Sequence, residues 1–124
     1  MDQLQTAKGI LDKDIELHRN YLRLAGSRLG EPGFDLPSLV WLGDDILDKE
    51  RMKRMLDDAD PSRYVLDRII DRLGNYYIPA HERSIDNPKI PAHWRNREHN
   101  EEWIKNYGFL KEIFQTMRQS STRE

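Results

Sequence analysis

Side chains between residues 4 and 29 recur at the three- and four-residue spacing that places them on one face of an α-helix. Gly30 follows the last of them and Pro32 stands just beyond, an order typical of a helix C-terminus. The pattern predicts a helix of roughly 25 residues, about 38 Å long at ~1.5 Å per residue. In so small a chain, a helix of this length needs several packing partners or a second copy of itself. The predicted stripe consists of Leu4, Leu11, Ile15, His18, Leu22, Ala25 and Leu29.

Residues 31–60 predict a turn followed by two shorter helices. Asp35 is a suitable N-cap, and Pro37 fits the first turn of the helix that it would start. Gly43 is expected to separate this helix from the next one. The first helix is expected to bury Leu39, Val40, Trp41 and Leu42. The second carries a thinner apolar stripe of Ile46, Leu47, Met52, Met55 and Leu56.

Two more helices are predicted in the second half of the chain. Asp60 followed by Pro61 is a typical helix start, with Asp at the N-cap and Pro at the first helical position, and Gly74 is the expected end. The last helix is predicted from about Asn96 to about Met117, and residues 118–124 are expected to fray. Its apolar face is formed by Trp103, Tyr107, Leu110, Phe114 and Met117.

These elements predict an all-α fold, a small helical bundle of about four main helices in a single domain, residues 1–124. A long Pro-containing loop, at about residues 74–95, is predicted before the last helix. A loop of this length without secondary structure usually carries function or is disordered. Because tyrosines, isoleucines and a tryptophan recur in it, we expect an ordered strap over the helices.

The composition narrows the functional classes. The chain has 124 residues, 34% of them charged, a net charge of −2 and no cysteine, which excludes thiol catalysis, disulfides and thiolate metal sites. No segment has the length of an apolar membrane span, so a soluble cytoplasmic protein is expected. Small size and the lack of recognisable motifs are compatible with a viral accessory protein.

The predicted loop contains the tetrapeptide Ile-Pro-Ala-His twice, at residues 78–81 and 90–93. Proline disfavours helical geometry for the residue before it, and polyproline geometry has three residues per turn. Each unit is therefore expected to place an isoleucine and a histidine on one face. The alternative is that both units are approaches to a turn or helix and that their identity is accidental.

A metal site is one hypothesis for this region, because His81, His93 and His99 lie near several glutamates. The spacing fits no metal template: His81-Glu82 begins like H-E-x-x-H, but Ile85 occupies the position of the second histidine. We therefore expect no metal and no cofactor.

Nucleic-acid binding is a second hypothesis, since Lys89, Arg95 and Arg97 alternate with His93 and Trp94. Bases beside an aromatic residue can pair with phosphates and stack on a nucleobase. No nucleic-acid-binding module is recognisable, and glutamates follow immediately.

Catalysis has less support, because the sequence has no Gly-rich phosphate loop and no nucleophile motif. Adjacent acids such as Asp44 and Asp45 are expected to be solvated. His18 lies on an apolar stripe, which indicates a core imidazole bonded to a carbonyl group.

Protein–protein binding is therefore the favoured class, with the chain acting as a small accessory or regulatory protein without a cofactor and without a membrane anchor. Self-association through the long first helix is a further expectation. Tyr, Trp and Arg are enriched at binding hot spots. The predicted partner-binding residues are Tyr76, Tyr77, His81, His93, Trp94, Arg95 and Arg97.

Overall fold

The computed structural model describes residues 2–28, 30–32, 36–90 and 92–124, and the side chains of these residues except 36–38 and 93. The chain divides into two compact units, residues 1–58 and 59–124, and each is described by itself. A single domain over residues 1–124 stays a prediction.

The described residues form helices and connecting turns, without a strand. A π-helical turn, Leu73–Tyr77, follows α3 and leads directly into α4. The predicted all-α fold with four main helices is confirmed, the main helices being α1, α2, α3 and α6. The helices are α1 (Gln3–Gly26), α2 (Leu36–Leu56), α3 (Arg63–Arg72), α4 (Ile78–Ser84), α5 (Ala92–Arg95) and α6 (Arg97–Ser120).

The first unit is an antiparallel pair of α1 and α2, which pack along their length. Ion pairs along the two helices show this direction, because partners that lie further along α1 pair with residues that lie further back along α2. Lys53 Nζ lies 2.5 Å from Asp12 Oδ1, and Arg19 Nη2 lies 2.6 Å from Glu50 Oε1. The buried apolar residues of this unit are Ala7, Leu11, Ile15, Leu42, Ile46, Met52 and Leu56.

Helix α2 differs from the sequence prediction in two ways. It runs without interruption through Gly43, so the predicted break there is wrong. Val40 and Trp41, which were expected in the core, are exposed. The predicted cap at Asp35 lies outside the described residues.

Helix α1 ends at Gly26, where the Ser27 hydroxyl donates to the Leu24 carbonyl over 2.7 Å. The predicted continuation to Leu29 is therefore too long, and Leu29 itself lies outside the described residues.

The second unit is built around α6. Leu66 and Ile69 of α3 and Leu73 of the π-helical turn are buried in the same unit as Trp103, Tyr107, Leu110 and Phe114 of α6, and α3 packs on α6. The N-cap of α6 is Asn96, whose side chain accepts from the His99 N–H over 2.9 Å. The predicted start of the last helix is thus confirmed.

The start of α3 is different from the prediction, and the C-terminal residues are bonded to it. Ser62, not Asp60, is the N-cap, and its hydroxyl donates to the Glu124 carbonyl. The Arg63 N–H donates to the Arg123 carbonyl over 2.8 Å. Residues 121–124 are therefore tied to the start of α3 instead of fraying.

Much of the predicted loop 74–95 is helical. In a regular α-helix the Pro79 ring would clash with the carbonyl of Asn75, and proline has no N–H to donate. Here the turn before it is wider, with the Ile78 N–H donating to the Leu73 carbonyl five residues back. The helical path thus passes Gly74 and continues to Ser84.

The first Ile-Pro-Ala-His unit consequently does not have the predicted polyproline geometry. Ile78 is helical, with φ −62° and ψ −51°, and residues 78–81 lie in α4. In the second unit Ala92 and the backbone of His93 belong to α5, whereas Pro91 lies outside the described residues.

The continuity of α2 predicts the effect of replacing Gly43. A Cβ atom at this position would meet nothing within 4 Å, and alanine costs less chain entropy than glycine in a helix interior. Gly43→Ala should raise the free energy of unfolding by about 0.5–1 kcal/mol, measured by urea denaturation. Gly108→Ala, in equally open surroundings on α6, is the matched control and should behave alike. A loss of stability confined to Gly43→Ala would contradict an uninterrupted α2.

Candidate functional site

Four ionisable side chains form a buried cluster between α1 and α2, which we call the charge cluster: Asp14, His18, Asp45 and Lys49. Each is at most 6% exposed. On each helix the two members stand four residues apart, so both point from one face toward the other helix. Leu11, Ile15, Leu42 and Ile46 are buried in the same helix pair.

His18 is held from both sides of its ring. Its Nδ1–H donates to the Asp14 carbonyl oxygen over 2.9 Å, and Oδ1 of the Asp14 carboxylate lies 2.8 Å from Nδ1. On the other side Nε2 lies 3.3 Å from Asp45 Oδ2. Because both ring nitrogens face oxygen acceptors, the geometry favours the doubly protonated imidazolium. The predicted carbonyl bond of His18 is confirmed, whereas the two carboxylates were not predicted.

The charges of the cluster balance. Lys49 Nζ lies 3.1 Å from Asp14 Oδ2, so two carboxylates oppose one ammonium and one imidazolium. Burial by itself lowers the pKa of His18, but the hydrogen bonds to Asp14 and Asp45 raise it, and the pKa reaches about 9. At neutral pH His18 therefore carries its proton and cannot act as a general base.

The outward side of α2 carries apolar residues where polar ones are expected. Val40 is 56% exposed and Leu47 is 52% exposed, and they stand seven residues apart, almost two full turns. Asp44 and Arg51, both exposed, continue the same stripe. We call the stripe formed by Val40, Asp44, Leu47 and Arg51 the α2 outer face.

Trp41 stands at the border between the α2 outer face and the charge cluster. Its side chain is 38% exposed, and its ring centroid lies 6.0 Å from that of His18. The inner side of α2 thus combines Asp45 and Lys49 with buried apolar residues, whereas Val40 and Leu47 are exposed on its outer side.

The predicted partner-binding residues lie in the second unit, and the structure brings some of them together around Tyr107. Tyr77 is buried, with its ring centroid 5.5 Å from that of Tyr107, and the His81 ring lies 5.4 Å from the same ring. Tyr76 is half-buried and receives the Arg72 guanidinium over its ring at 4.1 Å. Tyr77 therefore belongs to the core, and Tyr76 and His81 lie at its border.

The remaining predicted residues lie in α5 and at the start of α6. Trp94 is half-buried, Arg95 donates to the Ile90 carbonyl over 3.3 Å, and Arg97 pairs with Asp86 at 2.6 Å and Glu101 at 3.3 Å. The side chain of His93 lies outside the described residues. Whether these residues contact a partner stays a prediction.

Asn100 organises this region and was missed by the sequence analysis. It is buried, and its Nδ2 donates to the carbonyl oxygens of Trp94 and Asn96 over 2.8 and 2.9 Å. Its Oδ1 must then face His81, whose Nδ1 lies 2.6 Å away and carries the proton. Asn100 stands three residues before Trp103 and so lies on the apolar stripe of α6, which could have indicated a buried polar residue.

Asp14 and Lys49 were missed as well. Asp14 stands one turn before His18 and Lys49 one turn after Asp45, so each continues a face that is otherwise apolar. An ionisable residue in such a position is the signal that sequence reasoning could have used.

In the part of the chain that the structure describes, no three His, Asp or Glu side chains are placed to share a metal ion. None of the described helices combines the length and the apolar content needed to cross a membrane. The chain matches no protein-family model, no curated protein sequence and no solved structure. Functional inference therefore depends on the geometry of its own residues.

The raised pKa of His18 predicts how stability changes with pH. The folded state keeps the proton up to a pH of about 9, whereas an unfolded histidine loses it near 6.5. The contribution is complete below pH ~6.5 and is lost as the pH rises to about 9, by roughly 3 kcal/mol in all. Denaturant unfolding across this range measures it, with His18→Gln as the control that should remove this fall. If the stability of the wild type did not change over this pH range, His18 would not be held in its charged form by the cluster.

Removal of Lys49 should be far more costly than removal of an exposed lysine on the same helix. Lys49→Met leaves the buried Asp14 carboxylate without its ammonium, for which about 3 kcal/mol is expected. Lys53→Met removes the partly exposed pair with Asp12 and should cost less than about 1 kcal/mol. Urea titrations of the two variants measure the two losses in free energy of unfolding. Equal losses would show that the buried ion pair contributes no more to stability than the partly exposed one.

Proposed function

We propose that the protein is a small accessory or regulatory protein that acts by binding a partner protein through the α2 outer face. The observation that carries the proposal is the exposure of Val40 and Leu47 on a helix whose inner face contains Asp45 and Lys49. Exposed apolar side chains on one helical stripe, bordered by charges, are typical of protein-interaction surfaces.

The composition of the surface supports this proposal. Trp and Arg are among the residues that contribute most at interfaces, and Trp41 and Arg51 border the apolar pair. Asp45 and Lys49, on the opposite side of the same helix, are fixed by buried contacts with α1. The outer face is therefore presented on a supported helix, which lowers the entropy lost on binding.

The partner proposed for this face is an amphipathic helix. The stripe from Val40 to Arg51 spans about 17 Å along α2 at ~1.5 Å per residue, which fits about three turns of a partner helix. Its charge changes from acidic at Asp44 to basic at Arg51. A complementary helix would carry apolar residues at three- and four-residue spacing, with a base opposite Asp44 and an acid opposite Arg51.

The nucleic-acid hypothesis has weaker support from the same residues that suggested it. The Arg97 guanidinium is shared between Asp86 and Glu101, and Arg95 donates to a backbone carbonyl. Phosphate binding would have to compete with these contacts. No observation on the described residues favours that function over protein binding.

A photo-crosslinking amino acid at position 47 tests the proposal in the native cells of the protein. We expect one adduct of discrete mass, whose protein component is identified by mass spectrometry, purified and titrated against the wild-type chain. Leu47→Glu should weaken binding by roughly 30-fold or more, because it places a charge in an apolar contact.

Leu24→Glu is the matched control, since Leu24 is 65% exposed but lies on α1. It makes the same chemical change and should leave the affinity unaltered. Equal binding by wild type and Leu47→Glu, or no discrete adduct at position 47, would contradict the proposal.

A further inference from the structure

We infer that the helix bound by the α2 outer face is α2 of a second copy of this chain, packed antiparallel around Leu47. This inference rests on the proposed function and names its partner. Two features of the stripe carry it: its charge order about Leu47, and the position of its apolar residues.

When two copies of the stripe run antiparallel, the acidic end of each lies beside the basic end of the other. Along the helix axis Asp44 lies about 4.5 Å before Leu47, and Arg51 lies about 6 Å after it. A twofold axis at Leu47, perpendicular to the two helices, brings Asp44 of one copy to within about 1.5 Å along the axis of Arg51 in the other. The symmetry makes this contact twice. A parallel pairing would instead place each charge beside its own copy, which is repulsive.

The two charges also lie on the same side of the helix pair. Asp44 and Arg51 are seven residues apart, so they project from α2 in nearly the same direction. A twofold axis perpendicular to the helices keeps that side common to both copies. The carboxylate and the guanidinium therefore flank the same edge of the contact, within reach of the long arginine side chain.

The apolar residues are covered by the same arrangement. Leu47 packs against Leu47 of the second copy at the axis. Val40, seven residues earlier, lies at the level of Arg54 in the other copy, and the aliphatic part of that side chain can cover it. Arg54 is exposed. Leu47 thus faces Leu47, Val40 faces the aliphatic part of Arg54, and Asp44 faces Arg51, whose Nη1 also lies 3.7 Å from Asp48 Oδ1 of its own helix.

Self-association was expected through the long first helix, and part of the stripe that suggested it faces α2. This stripe contains Leu11 and Ile15, which are buried in the chain. The inferred self-contact lies on α2.

Sedimentation velocity on purified full-length variants tests the inference through a charge exchange. Wild type should dimerise with a concentration dependence in the micromolar range. Asp44→Arg and Arg51→Asp should each dimerise at least tenfold more weakly, because each creates two like-charge contacts. The double variant Asp44→Arg/Arg51→Asp should dimerise like wild type. An equimolar mixture of the two single variants should form the heterodimer, in which both contacts are attractive again.

Glu112→Arg, an exposed charge reversal on α6, is the control and should leave the dimer unchanged. Circular dichroism checks that every variant is folded. The inference is overturned if wild type stays monomeric, if the single variants dimerise as tightly as wild type, or if the mixture does not associate. A monomeric wild type with a crosslinked adduct to a different protein at position 47 would preserve the proposed function. A monomer without an adduct would remove both.

Discussion

Charge balance in the buried cluster is the constraint on which the first unit depends. Two carboxylates, one imidazolium and one ammonium are removed from water between α1 and α2, and each must find its opposite there. Two of the pairs, His18 with Asp45 and Lys49 with Asp14, join the two helices, and they form in this antiparallel register. Asp45 and Lys49 thereby lie on the inner face of α2, beside the buried Leu42 and Ile46. Leu47, on the opposite side of the helix, remains in solvent, and this is the physical origin of the proposed binding surface.

Local rules predicted the helices well where the decisive interactions are local. The Asn96 cap and the stripe of α6 follow from residues close together in sequence, and that helix begins as predicted. Asp60-Pro61 has the composition of a helix start, yet Ser62 is the N-cap: its Oγ accepts from the Val65 N–H, and its hydroxyl donates to the Glu124 carbonyl. Pro79 was expected to interrupt a helix, but the widened turn before it accommodates the ring. These outcomes depend on distant partners or on an unusual helical turn.

The candidate site was less predictable, because its signals run against the usual assignments. Charged residues are normally placed in solvent and apolar ones in the core, so Asp45 was expected outside and Val40 inside. The contact between Asp14 and Lys49 joins residues far apart in sequence, and only the packing of α1 on α2 reveals it. His18 was recognised as a core histidine because it lies on an otherwise apolar stripe. Its acidic neighbours could not be deduced from that stripe alone.

The most direct measurement of the central claim is the ¹⁵N NMR spectrum of the His18 ring in the folded protein at neutral pH. A charged, balanced cluster predicts that both Nδ1 and Nε2 carry protons and show the shifts of an imidazolium. The protons should exchange slowly with solvent, because the ring is buried. A single neutral tautomer, with one protonated nitrogen, would contradict the account. The buried cluster would then not be charge-balanced, and charge balance could not explain which side of α2 faces α1.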